Sequence, residues 1–201
     1  MLSLANLERA MNGTLPRPEG GASGAGDPGS KSAAVGAIFR ESAHGLEVLL
    51  IRRAERADDP WRGHLAFPGG RRDPKDPDLF ATSVRETLEE VGLDLEAFAS
   101  LVGVLDDQEA TSKRAKMGMP IRPFVYRMSA EPPALVPNAE VTEALWTPIA
   151  PLYRGERESS IEVDYENVRY TLPAFDVDGR IVWGLTYRML QDIFARLRAV
   201  L

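Results

Sequence analysis

Taken by the period of its apolar positions, the chain divides into short segments of different kinds. Leu4, Leu7 and Met11 recur at helical spacing within residues 2–11. The stretch GTLPRPEGGASGAGDPGSKSAA (13–34) has no apolar period and is rich in Gly, Pro, Ala and Ser, the composition of a flexible segment. AAVGAIF (33–39) and EVLLIRR (47–53) read as two strands of a hairpin across ESAHGL, so residues 1–32 form an N-terminal helix plus linker and residues 33–201 the main domain. A loop rich in Arg and Asp then leads to LAFPGG (65–70). In the next helix, Phe80, Val84, Leu88 and Val91 make one apolar stripe, with Asp76 as N-cap, Pro77 at the first helical position and Gly92 at the C-cap. SLVGVL, IRPFVYRM and EALWTPI read as strands, DVDGRIVW as a turn entering a strand, and TYRMLQDIFARLRAV as an amphipathic closing helix. Helices and strands mix without strict βαβ repetition, which predicts an α/β fold with a mixed sheet layered between helices.

The chemistry starts in the central helix. RETLEEVGL (85–93) sets Glu86, Glu89 and Glu90 into five consecutive positions, on the face opposite the apolar stripe. Like charges at i,i+4 cost about 0.2–0.5 kcal/mol per pair, so the cluster is either a solvated face or a cation site. Arg85 can pair with Glu89 at i,i+4, leaving Glu86 and Glu90 as neighbouring carboxylates whose hard oxygens suit Mg²⁺ or Mn²⁺. Upstream, Gly69 and Gly70 allow backbone to approach a ligand closely. Arg52, Arg53, Arg56, Arg62, Arg71 and Arg72 bracket that turn with phosphate-pairing groups. Taken singly, a glycine pair is a turn, and the arginines have Asp58, Asp59 and Asp73 as partners. The combination points to hydrolysis of a phosphoanhydride, with a metal polarising a phosphoryl oxygen and activating water.

Composition narrows the classes. At 201 residues with 44% hydrophobic and 27% charged positions, the chain supports one globular domain with a real core. A net charge of -6 counts against generic nucleic-acid or anionic-membrane binding. The absence of cysteine excludes disulfides and thiolate metal sites, and two histidines, His44 and His64, leave little for a zinc centre. No apolar run is long enough to span a membrane, and no basic stretch leads into an apolar one at the N-terminus, so a cytoplasmic location is the default expectation.

The helix and its approach resemble the Nudix box, whose second half reads Arg-Glu-aliphatic-any-Glu-Glu-any-Gly-aliphatic. Arg85, Glu86, Glu89, Glu90, Gly92 and Leu93 match it. Thr87 replaces the usual aliphatic residue. Gly70 lies one residue further from Arg85 than in that pattern, and Asp76 or Asp78 is nearest to its expected glutamate. Within the family, LLIRRA (49–54) followed by FPGG (67–70) is similar to the signature of coenzyme A pyrophosphatases. GGRRDPKDPD, VPNAEV (136–141) and VWGLTYRML (182–190) also look like that branch. Ile51 stands in place of a threonine there, and DDPWRGH is an insert in which Trp61 and His64 either pack or line the pocket.

The resemblance implies a Nudix-type α/β/α sandwich with a mixed β-sheet. It also implies Mg²⁺- or Mn²⁺-dependent cleavage of a small nucleotide-diphosphate substrate, coenzyme A giving 3′,5′-ADP and 4′-phosphopantetheine. Glu86 and Glu90 would bind the metal, Glu89 would share it or activate water, and Arg85 would orient the glutamates. Gly69, Gly70, Arg53 and Arg71 would meet the substrate, and the Gly70 carbonyl is a further candidate ligand. Glu89 is the first choice of catalytic base, with Glu140 and Glu143 as alternatives. A homodimer is compatible with the sequence, the N-terminal helix docking on a partner or on its own core. The same helix serves Nudix enzymes acting on ADP-ribose, dinucleotides, nucleotide sugars or oxidised nucleoside triphosphates. A nucleotide-sensing module without activity fits less well, because the helix motif is complete and the tail after Gly184 is short for a winged helix.

Overall fold

Strands β1 (Ala33–Ser42) and β2 (Gly45–Arg53) form the expected hairpin, with Phe39 opposite Val48 and Ser42 opposite Gly45. Gly45 turns the chain at φ 94°, a value that glycine adopts without strain. The structure, a computed structural model, describes residues 2–14, 32–54, 63–110, 118–165 and 168–201. Most of the segment read as flexible, and Arg56, Asp58, Asp59, Trp61 and Arg62, lie outside the described residues.

After the hairpin come β3 (Leu65–Ala66), β4 (Gly69–Arg71), α2 (Leu79–Val91), α3 (Leu95–Phe98), β5 (Ala99–Val104), β6 (Gln108–Ala110), β7 (Met119–Met128), β8 (Val141–Pro148) and α4 (Ile149–Tyr153). The chain closes with β9 (Glu158–Tyr165), β10 (Val168–Val177), β11 (Arg180–Trp183) and α5 (Gly184–Val200), after α1 (Leu4–Met11) at its start. The strand order is β5-β7-β1-β2-β3-β11-β10-β9, with β4 on β1, β6 on β7 and β8 on β2. β1 and β7 run parallel, as do β11 and β3, and the remaining pairs are antiparallel. The sheet is therefore mixed, as expected.

β1 and β2 are buried on both faces, which is why their sequences read as continuous apolar runs rather than alternating ones. Ala37, Phe39, Val48 and Leu50 point into a core shared with α5 through Leu190, Ile193, Phe194 and Leu197. Ile38, Leu49 and Ile51 point the other way, toward Leu79 and Val91 of α2. Helices thus cover both sides of the sheet. α1 docks on its own domain: Leu7 and Met11 are fully buried in the α5-side core, and the Thr14 hydroxyl accepts from the Val104 amide at 3.3 Å. No helix among the described residues is long and apolar enough to cross a membrane.

The central helix differs from the expectation in two ways. Its N-cap is Asp78, which accepts from Ala81 N at 2.8 Å; Asp76 is buried beneath the helix instead. The buried face comprises Leu79, Thr82, Ser83, Thr87, Glu90 and Val91, whereas Leu88 of the expected stripe is 49% exposed. The helix lies close to a glycine-lined strand, and small hydroxyl side chains fit there better than large apolar ones. A Cβ on Gly36 would lie 3.3 Å from Thr87 Oγ1. The buried hydroxyls are satisfied: Thr87 donates to Ser83 O at 2.8 Å, and Ser83 Oγ meets the Tyr126 hydroxyl at 2.6 Å.

Candidate metal and phosphate site

α2 crosses over β4, and the glycine pair of that strand is what lets the two carboxylates come down to it. Gly69 N donates to Glu90 Oε2 at 2.8 Å. A Cβ on Gly70 would fall 2.5 Å from the carboxylate carbon of Glu86, so only glycine leaves that space open. Glu90 is 4% exposed, Glu86 is largely buried, and Glu89 is exposed at the rim. The three glutamates therefore do not share a solvated face. Two point inward to the strand and one stands at the edge.

Arg85 is the hub beside them. Its Nε and Nη2 donate to the two carboxylate oxygens of Asp76, each at 2.9 Å, and Nη2 also donates to Arg71 O at 3.2 Å. Its Nη1 lies 3.0 Å from both Glu86 Oε1 and Glu89 Oε2. Asp76 accepts further bonds from Thr82 Oγ1 and Asp73 N, both at 2.9 Å. Asp76 grips the arginine, and Asp78 caps the helix. The Arg85 guanidinium is the largest influence holding the Asp76 carboxyl down at about 2.

Burial dominates the other acids. Desolvation raises Glu90 to about 7; the Gly69 N–H and the Arg53 charge oppose this, and the Glu86 and Glu140 charges add to it. Glu86 is also raised, chiefly by desolvation and against the pull of Arg85.

Glu86, Glu89, Glu90, Asn138, Ala139 and Glu140 line one cavity of about 440 Å³. The structure thus brings together Glu86, Glu89, Glu90 and Arg85 with Gly69, Gly70 and, from a loop fifty residues on, Glu140. Glu143 does not join them: Arg180 binds it in a two-pronged ion pair at 2.6 and 2.7 Å. Among the arginines, Arg72 donates to the carbonyls of Asp76 and Pro77, and Arg52 to Gly63 O. His64 packs edge-on against Trp183 at 5.5 Å. Asn138, which no reading of the sequence singled out, touches the helix end directly. Its only signal was its place within VPNAEV.

A divalent ion fits the donor chemistry here, since four of the residues lining the cavity, Glu86, Glu89, Glu90 and Glu140, carry hard carboxylate oxygens. Among the described residues, however, no three carboxylate or imidazole groups are already gathered about one point. Arg85 holds Glu86 and Glu89, and Gly69 N–H holds Glu90, so gathering them on one ion requires Glu86 and Glu89 to turn from the arginine.

The two glycines are expected to respond differently to alanine. Gly69 has φ 149°, and a Cβ there would lie 2.6 Å from Val35 Cα, so Gly69→Ala collides with backbone and should cost about 2 kcal/mol or more in denaturant unfolding. At Gly70 the obstacle is the mobile end of Glu86, so Gly70→Ala should fold near-normally yet weaken Mn²⁺ binding about tenfold. Wild-type Mn²⁺ affinity in Gly70→Ala would contradict the proximity argument.

A family model described as the NUDIX domain matches residues 30–165, more than half of the chain. A protein of Schizosaccharomyces pombe is 38% identical over 131 residues, 64% of this chain and 40% of that protein. Human mitochondrial coenzyme A diphosphatase NUDT8 is 34% identical over 151 residues, 72% of this chain and 61% of that protein. The chain thus spans less than two thirds of the length of these two relatives. A Nudix hydrolase named NudL from Yersinia pestis (strain Pestoides F) is 28% identical over 146 residues, 73% of this chain and 70% of its own. Among solved structures, the fold is similar to the Nudix hydrolase RenU from M. smegmatis, with TM-score 0.55, 20% identity and 84% of each chain covered. It is similar as well to the NUDIX domain of Shewanella oneidensis NrtR, with TM-score 0.53 and 19% identity, covering 85% of this chain and 88% of that one.

Proposed function

The chain belongs to the NUDIX family, and from that premise we propose that it hydrolyses the pyrophosphate linkage of coenzyme A or a derivative, giving 3′,5′-ADP and 4′-phosphopantetheine. The observation that carries the hydrolase reading is the meeting of Glu86, Glu89, Glu90 and Glu140 on one cavity, with Glu90 and Glu86 set against the β4 glycines. The choice of coenzyme A is supported by the likeness to a coenzyme A diphosphatase and by the sequence runs 49–54, 67–70 and 136–141. The compartment in that relative's name is the mitochondrion, so it lends no support to a cytoplasmic location.

Glu86 and Glu90, with Glu89, would hold Mg²⁺ or Mn²⁺. Such an ion, when bound, neutralises phosphoryl oxygens and lowers the pKa of water. Glu90 is anchored by the Gly69 amide and stripped of solvent, so its charge is strongly felt by whatever enters the cavity. Glu89 and Glu140 are the two candidates to take the proton from an attacking water. The water oxygen bonds to phosphorus, the bridging P–O bond breaks, and its electron pair leaves with the departing phosphate. Glu143 is unsuited to the role of base because Arg180 occupies both of its oxygens. Arg53 and Arg71 supply positive charge toward the diphosphate, and Gly69 and Gly70 let the strand approach it without side chains in the way.

A substrate panel with Mg²⁺ and Mn²⁺, with products separated by chromatography, tests the reading. Coenzyme A should show kcat/KM at least about tenfold above ADP-ribose, dinucleotides and nucleotide sugars. Intact coenzyme A beside cleaved ADP-ribose would overturn the substrate assignment, and no cleavage of any member would overturn the hydrolase reading.

A further inference from the structure

The last four carbonyls of an α-helix have no partner within it, and in α2 all four find donors. Leu88 O accepts from Gly92 N at 2.9 Å and Val91 O from Val136 N at 2.8 Å. The remaining two belong to the glutamates of the cavity, and one residue serves both. Asn138 N donates to Glu90 O at 3.0 Å, and Asn138 Nδ2 donates to Glu89 O at 2.9 Å. Through its other amide atom the same side chain holds the loop, because Asn138 Oδ1 accepts from Glu140 N at 2.7 Å. Ala54 N then donates to Glu140 O at 2.8 Å, tying that loop to the end of β2.

We propose that Asn138 is a positioning residue that fastens the last turn of α2 to the 136–141 loop, so that Glu140 is presented to the same cavity as Glu86, Glu89 and Glu90. The proposal deepens the functional reading and rests on that cavity being a cation site. Its force lies in the side chain required. Spanning a carbonyl on one side and an N–H on the other takes a donor and an acceptor on a single planar group, which an amide has and a carboxylate lacks. Asn138 touches no reacting atom in this scheme and acts through Glu140. A purely structural cap is a different case. After truncation to alanine the backbone donors Val136 N and Asn138 N still serve Val91 O and Glu90 O, so the helix end stays largely capped.

The test compares wild type, Asn138→Ala, Glu140→Gln and the double variant by direct titration with Mn²⁺ alone, alongside thermal unfolding. Asn138→Ala should bind Mn²⁺ about tenfold more weakly, as loss of a supporting partner typically does, while unfolding cooperatively. Glu140 is a further carboxylate on the cavity, so its charge attracts the ion whether or not it is also the base. Glu140→Gln should therefore lose a similar factor, and the double variant should be no weaker than the weaker single one. Wild-type affinity in Asn138→Ala overturns the proposal, as does an additive loss of about a hundredfold in the double variant, which would mean that the two residues act independently. Amide hydrogen exchange supplies a readout that does not depend on metal. Glu140 N–H should keep wild-type protection in Asn138→Asp, which retains the acceptor, and lose it in Asn138→Ala. Equal protection in all three proteins overturns the proposal. A wild type that takes up no Mn²⁺ sinks the cation-site reading separately, and the exchange experiment still decides whether the clamp exists.

Discussion

Glu90→Gln is expected to lower turnover by at least about a hundredfold while making the metal-free protein more stable at about pH 8. The first half follows from removing a charged ligand at the base of the cavity. The second follows from burial. With its carboxyl raised from 4.5 to about 7, the folded protein retains a proton on Glu90 that the unfolded chain has released. Stability therefore falls as pH rises through that window, and the full penalty is present above about pH 7. Its size is on the order of 2–3 kcal/mol for a group so thoroughly desolvated. Glutamine has no charge to bury and can still accept from Gly69 N. Thermal unfolding in chelator should show the variant ahead of wild type at about pH 8 and level with it near pH 4.5, where both side chains are neutral. Turnover within a few-fold of wild type would remove Glu90 from the metal site. A variant less stable than wild type at the higher pH would contradict the burial account.

Asp76→Ala should act in the opposite sense, costing about 2–3 kcal/mol of stability above pH 5 and disordering the site with it. Asp76 is 7% exposed and accepts two bonds from Arg85, one from Thr82 and one from Asp73 N. Removing it leaves the guanidinium partly buried, with Glu86 and Glu89 as its remaining anionic partners. Those carboxylates are then drawn more firmly to the arginine, so Mn²⁺ binding should weaken along with the fold. Because its pKa is depressed from 3.8 to about 2, the carboxylate stabilises the protein above the unfolded value, and that contribution fades as pH falls from about 4 toward 2. Wild type should therefore converge on the variant in acid. Urea unfolding across that range checks both points, and a variant within about 0.5 kcal/mol of wild type at neutral pH would contradict them.

The sequence carried the identity of the acidic cluster because it is local, with Glu86, Glu89 and Glu90 joined to Arg85 by helical spacing alone. The two-face burial of β1 and β2 was legible in their unbroken apolar runs. What failed depended on tertiary approach. Asp76, just before Pro77, reads as the cap, and only the fold shows Arg85 reaching back to it while Asp78 caps the helix through Ala81 N. The buried face of α2 was misjudged because Thr82, Ser83 and Thr87 pack inward where a glycine-bearing strand runs close, while Leu88 is left outside. The β9–β10 hairpin is absent from the elements expected from sequence, although Ile161 and Val163 alternate with Glu162 and Asp164 as a strand should. From sequence alone Glu140 is one alternative base beside Glu143. The hydrogen bonds of Asn138 and the ion pair of Arg180 separate the two, and neither contact has a sequence period.

The central claim is that the buried carboxylates beside the β4 glycines hold a divalent cation in common with a diphosphate. Anomalous diffraction from crystals soaked in Mn²⁺ together with a non-hydrolysable coenzyme A analogue tests it most directly. The account predicts a manganese peak between Glu86 and Glu90, with Glu86 turned away from Arg85 and the diphosphate against the ion. A map without a peak at those side chains, or with the metal bound elsewhere while they stay paired to Arg85 and Gly69, would contradict it.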